Sequence, residues 1–220
     1  MAVAALAQHT ETTAPHNGFR NIYTYDANNN KISDVEQEFV NNTWQDIGIN
    51  KVVYDKNNNP ISSVSQYGWQ CFFGYDSHNN RTFYMRQYKK NGVYENVERY
   101  YYTFDSSNKE TGEIMQQAKG ATDWVNFSQT YFKKDTTMRQ DWDGAKWVNT
   151  SRQFTTYDTR GNKTCVLAQN WKDGAWVNHE RWTITYDANN KEIDYKDEIW
   201  DGIKWGPWQP MRDGYPIDTK

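Results

Sequence analysis

An aromatic residue followed by aspartate recurs down this chain, at Tyr25-Asp26, Tyr54-Asp55, Tyr75-Asp76, Phe104-Asp105, Tyr157-Asp158 and Tyr186-Asp187, with Lys134-Asp135 filling the one gap. Eleven residues before the aspartate a second aromatic returns, at Trp44, Tyr94, Trp124, Trp147 and Trp176. Asp or Asn follows it by two residues (Asp46, Asn96, Asn126, Asn149, Asn178) and Arg by five in three copies (Arg99, Arg152, Arg181). Self-similarity with a period of a few tens of residues marks a repeat architecture, in which one supersecondary unit is stacked on copies of itself. Seven such units fit the chain. Toward the C-terminus the period is regular: Trp142, Trp171 and Trp200 are each 29 residues apart, as are Trp147, Trp176 and Trp205.

Each unit carries two kinds of turn. After the aromatic-Asp come "DANNNK", "DKNNNP", "DSHNNR", "DTRGNK" and "DANNKE". Aspartate can bond a downstream backbone amide, and Asn or Gly tolerates the left-handed conformation of a tight loop. Asp26, Asp55, Asp76, Asp105, Asp135, Asp158 and Asp187 are therefore expected as structural turn residues. The second turn reads "WDGAKW", "WKDGAW" and "WDGIKW", with "YKKNGVY" as a weaker copy. Asp-Gly and Asn-Gly are strong hairpin signals, and Trp residues five apart across a four-residue loop face each other. About ten residues lie between turns, which makes one unit two antiparallel strands of roughly 30 Å each. The expected fold is all-β, an antiparallel meander of about seven two-stranded repeats and thirteen or fourteen strands.

The side chains available for a core agree. Two leucines stand against 11 Trp, 16 Tyr and 9 Phe, which starves a helix bundle and suits strands. Strict alternation along Trp176 to Tyr186 places Trp176, Asn178, Glu180, Trp182, Ile184 and Tyr186 on one face, with Val177, His179, Arg181, Thr183 and Thr185 opposite. The unit from Tyr94 likewise groups Tyr94 with Tyr100, Tyr102 and Phe104, opposite Val97, Arg99 and Tyr101. The return strand blurs this contrast, because Ile193, Tyr195 and Ile199 point away from Trp200. Neither face is dry, so a curved or coiled, largely single-layer sheet is expected rather than a sandwich.

The termini differ from the repeat. Residues 1–7, ahead of Gln8, are a short run of small apolar residues that reads as a truncated signal peptide, although a basic n-region is missing. Residues 8–18 form an N-terminal extension and the start of the first unit, 19–205 the repeat domain, and 206–220 a Pro-rich cap that blunts an edge strand. An exported protein, in the periplasm, at the cell surface or secreted, is the expectation. Net charge is −3 with both signs interspersed, which leaves no basic patch for nucleic acid, and no apolar run reaches the ~18 residues of a membrane-spanning helix.

"YTYDANNNK", "TTYDTRGNK" and "ITYDANNKE" resemble the YD repeats of bacterial Rhs-type and teneurin-like shells, and "DGAKWVNTSR" and "DGAWVNHER" are similar to repeats in exported proteins of Bacteroidetes. The resemblance covers about Phe19 to Trp205. It implies long antiparallel strands that coil into a shell, and it implies no activity: seven units are too few to enclose a cargo.

Candidate chemistry is sparse. "DANNN" begins like a calcium loop, but Lys31 replaces the Gly at the sixth position and Gln37 the Glu at the twelfth. His9, His16, His78 and His179 follow no metal or triad spacing, so neither metal, cofactor nor catalytic residue is assigned. Cys71 and Cys165 are expected as separate thiols. The rows Trp142/Trp147, Trp171/Trp176 and Trp200/Trp205 are the candidate ligand-binding residues, because exposed indoles stack on sugar rings; the competing reading packs them unit against unit as core. The function expected is a non-catalytic binding or scaffold module at the cell envelope or outside the cell, with a glycan or another envelope protein as partner. A glycan-binding module using the Trp ladder and a glycan-processing enzyme are the alternatives.

Overall fold

The computed structural model describes residues 8–208 in full, and the backbone of residues 211–212 and 215–216. The proposed signal segment, residues 1–7, and most of the Pro-rich cap lie outside the described residues. Two compact units divide the chain at Phe127/Ser128. The first holds β1 (His9–Thr12), β2 (Phe19–Tyr25), β3 (Lys31–Val40), β4 (Thr43–Tyr54), β5 (Pro60–Val64), β6 (Trp69–Tyr75), β7 (Arg81–Lys90), β8 (Val93–Phe104) and β9 (Glu110–Lys119). Strand β10 (Asp123–Lys133) runs across the boundary. The second unit continues with β11 (Thr136–Trp142), β12 (Trp147–Tyr157), β13 (Lys163–Lys172), β14 (Ala175–Tyr186), β15 (Glu192–Trp200) and β16 (Trp205–Pro207), and β17 (Met211–Arg212) pairs separately with β18 (Tyr215–Pro216).

The protein is all-β, and the first sixteen strands follow one another as an antiparallel meander in chain order. Sixteen exceeds the expected thirteen or fourteen because β1 and β16 extend the series beyond the seven units. Pairing persists to Pro207, two residues past the expected end of the repeat. Among the described residues Val166 is the one buried hydrophobic, and no large side chain is fully buried. Each unit is a sheet with both faces partly wetted, and cohesion comes from neighbouring strands rather than from an oily interior.

Strict alternation is where the sequence reading fails. Three residues after Trp44 the register slips by one: Gln37 opposes Asp46 while Glu36 opposes Gly48, which leaves Ile47 as an extra residue. The same bulge sits at Val97, Thr150 and His179. A bulge flips every later side chain to the other face. Arg181 therefore lies opposite Leu167, in the row of Trp176 and Asn178, rather than across the sheet from them. Arg99 and Tyr101 likewise join Tyr94, and Tyr100 and Tyr102 take the far face.

Candidate functional site

The aspartate turns are built from one pattern. In the first, Asp26 Oδ1 accepts from the N–H of Asn28 (2.9 Å) and Asn30 (2.8 Å), Asn29 adopts φ 65°, and Asn30 Nδ2 donates to Asp26 Oδ2 at 3.0 Å. Asp55, Asp76 and Asp158 repeat it with Asn59, Asn80 and Asn162. At Asp105 and Asp187 a lysine takes the last position, and the backbone bonds to the carboxylate remain. The side-chain amides of Asn30, Asn80 and Asn162 hold Asp26, Asp76 and Asp158 below the usual carboxylate range. Burial pushes Asp55 up, but the bonds from Asn59 and Asn57 outweigh it and its value is also lowered.

The turns also grip one another. Asn30 Nδ2 donates to Asn58 Oδ1 (2.9 Å), Asn59 to Asn79 (2.9 Å), Asn80 to Asn108 (3.0 Å), and in the second unit Asn162 to Asn190 (2.9 Å). The left-handed Asn58, Asn79, Asn108 and Asn190 are thus acceptors for the turn before them. Asp135 departs from the pattern: Lys134 and Asp135 form a two-residue turn, and what Asp135 supplies is its backbone carbonyl, to Thr155 N at 2.8 Å.

The tryptophan rows sit at the opposite hairpins. Trp142, Trp171 and Trp200 are register partners of Trp147, Trp176 and Trp205, with ring centroids 5.2, 5.0 and 5.2 Å apart in edge-to-face contact. All six are half-buried. Beside them runs a relay that the sequence reading missed. Arg152 Nε donates to Gln169 Oε1 (2.7 Å), Gln169 Nε2 donates to Asn178 Oδ1 (2.8 Å), and the Arg152 guanidinium lies 4.4 Å over Trp176. Arg20–Gln37–Asp46 over Trp44 and Arg99–Gln116–Asn126 over Trp124 are the same device. Arg181 closes the series on Glu198 at 2.7 Å and stacks on Trp205 at 4.5 Å. Two relays lack the arginine: Gln129 donates to Gln140, and Gln140 to Asn149, while Gln87, opposite Gln70, donates to Asn96. Signals for the relay existed in the recurrence of Gln or Glu seven residues before the hairpin aromatic, at Gln37, Gln87, Gln140, Gln169 and Glu198.

On the other face of the first unit, aromatic rings gather across β6, β7 and β8. Tyr84 lies 5.5 Å from Phe73 and 5.8 Å from Tyr100, and Arg86 reaches Glu98 (2.8 Å) while lying over Trp69. Burial, and then the Cys71 thiol 3.6 Å away, push the Tyr84 phenol well up, and burial does the same for Tyr100 and Tyr102. The cluster offers hydroxyl groups, and the Glu98 carboxylate among them is paired with Arg86. Two glutamates are also pushed up, Glu110 by burial and the charge of Glu113, and Glu180 by burial and the charge of Asp197.

Cys71 and Cys165 are both unpaired thiols. His9 stacks on Tyr25 at 4.5 Å, His78 lies in a turn and His179 is the bulged residue. Among the described residues no cluster of three potential metal ligands occurs, and no helix is long and apolar enough to cross a membrane.

No family model and no curated protein matches the chain. Solved structures similar to it include a protein of unknown function from Bacteroides fragilis, 12% identical over 52% of this chain and 91% of that one, with a TM-score of 0.43. A porin-like protein from Bacteroides uniformis is 9% identical over 95% of this chain and 88% of that one, with a TM-score of 0.41. The TcdB2-TccC3-Cdc42 structure is 8% identical over 84% of this chain and 12% of that one, also at 0.41.

Proposed function

We propose that the chain is a YD-like repeat scaffold, a non-catalytic binding or scaffold module acting at the cell envelope or outside the cell. The observation that carries this is the commitment of the repeated polar groups to partners within their own turn and in neighbouring repeats. The box carboxylates of Asp26, Asp55, Asp76 and Asp158 are each filled by amides of their own turn, which leaves none poised as a general acid or base. The stacking faces of Trp176 and Trp205 already carry a guanidinium, which favours cohesion over sugar stacking. Location outside the cytoplasm is part of the same proposal and rests on the Ala-Leu-Ala run ahead of Gln8.

Titration of the intact chain with neutral oligosaccharides, followed by intrinsic Trp fluorescence, tests it. No saturable change is expected. A change abolished by Trp171→Ala or Trp176→Ala would move the rows to glycan binding. Hydrolysis of a glycan, lost in Glu180→Gln, would overturn the non-catalytic reading.

A further inference from the structure

The hairpin of β10 and β11 departs from the repeat rule in several ways at once. The aromatic-Asp turn becomes Lys134-Asp135 without an Asn clamp. The other two-residue hairpins, Asn17-Gly18, Asn41-Asn42, Asn91-Gly92 and Asp173-Gly174, have both central residues at positive φ, between 50° and 86°. Neither Lys134 nor Asp135 does. Turns of positive φ match the right-handed twist of a hairpin, and the alternative types splay the strands. Gln129 stands where Arg20, Arg99, Arg152 and Arg181 stand in their relays, as Gln70 does opposite Gln87, so neither of these two stretches starts from a guanidinium.

The strands nonetheless stay paired up to Lys133 and Thr136, and beside the turn a cavity of about 400 Å³ opens, lined by Tyr131, Lys133, Thr136, Met138 and Gln140. These residues share one face, because Tyr131 opposes Met138 and Lys133 opposes Thr136, with Gln140 opposite Gln129. That volume falls in the small-molecule range, and the mixture of a few polar groups on an apolar wall is that of a ligand cleft. The Tyr131 ring, 40% exposed, gives a flat apolar platform, with the Met138 thioether beside it. Thr136 supplies a hydroxyl. Gln140 has donated one amide N–H to Asn149 and accepted one from Gln129, and keeps its second N–H. Lys133 brings the only formal charge in the lining and has no ion-pair partner among the described residues.

We infer that this cavity is a binding site for a sugar acid, a pyranose whose apolar face lies on Tyr131 and whose carboxylate meets Lys133. The site makes no use of the tryptophan rows and goes beyond the scaffold reading, which stands whether or not the site binds.

Calorimetric titration of the full chain with digalacturonate, against neutral galactobiose, tests it. Saturable heat is expected with the acid alone, weakening at high salt. Lys133→Ala removes a charge-assisted contact and should weaken binding about tenfold or more. Met138→Trp, which fills the cavity from a different strand, should abolish it. Absence of saturable heat, equal binding of galactobiose, or unchanged affinity in both variants overturns the assignment.

Discussion

Replacing Arg152 by Ala should cost more than any other single change on the exposed sheet surface of the second unit. The substitution deletes the 2.7 Å bond from Nε to Gln169 Oε1, the guanidinium 4.4 Å over Trp176, and its contact with Phe154 at 4.9 Å. A hydrogen bond from a charged donor contributes about 1.5–3 kcal/mol, and an exposed cation–π contact about 0.5–1. Arg152 is half-buried, so the low ends apply and the sum is ~2 kcal/mol. Gln169 also loses its donor while it still holds Asn178, so the relay is cut at its source. Arg152→Lys keeps the charge and gives up the flat guanidinium, and should recover less than half of the loss. The control is Arg139→Ala, whose partner Asp141 lies on its own strand with both side chains more than 40% exposed. Exposed pairs of that kind contribute about 0–1 kcal/mol. Urea unfolding followed by circular dichroism and Trp emission measures both. A loss below ~0.5 kcal/mol for Arg152→Ala, or one equal to Arg139→Ala, would refute the view that the relay couples neighbouring repeats.

Three further outcomes are expected. Asn162→Ala removes the bonds to Asp158 (2.9 Å) and to Asn190 (2.9 Å) and should destabilise by ~1 kcal/mol, with the Asp158 carboxyl rising toward its ordinary value in an NMR titration. Asp26, Asp76 and Asp158 titrate lower in the fold than in the unfolded chain, so their stabilisation is complete above the ordinary aspartate value and is lost as pH falls through the depressed ones. Glu110 and Glu180 are shifted the other way and oppose this, so acid melts should show a net loss beginning below about pH 4 that is smaller in Asp76→Asn. Gly48 is a case of space rather than turn geometry. A Cβ there would collide with the Gln66 amide, which lies over it and donates to Glu36 at 3.1 Å. Gly48→Ala should therefore cost ~1 kcal/mol in a thermal melt, and adding Gln66→Ala should make the second substitution nearly neutral.

The strand series and both turn types were legible because each rests on residues close in sequence. Asp26 with Asn29 and Asn30 specifies a turn by its own side chains, and Asp173-Gly174 specifies a hairpin by its φ preferences, so no distant partner had to be known. The bulges were not legible in this way. Ile47, Val97, Thr150 and His179 share no side-chain chemistry, and a bulge residue needs none, since what it contributes is an extra peptide unit. The sign of the bulge lay in an offset. Asn178 follows Trp176 by an even number of residues and Arg181 by an odd one, yet the sequence repeats both, and two residues repeated at opposite parity either serve different faces or have a bulge between them. The relay then decides between these, because a guanidinium can lie over the indole of the next repeat only from the same face. The six tryptophans, read one strand at a time, looked like a display surface. The Gln at a fixed distance before the hairpin aromatic, the Arg after it, and the bulge that aligns them are instead parts of one cross-strand contact. A place to look for a ligand is consequently one where that contact is interrupted and a cavity stands beside it, as at Gln129 and the Lys134-Asp135 turn.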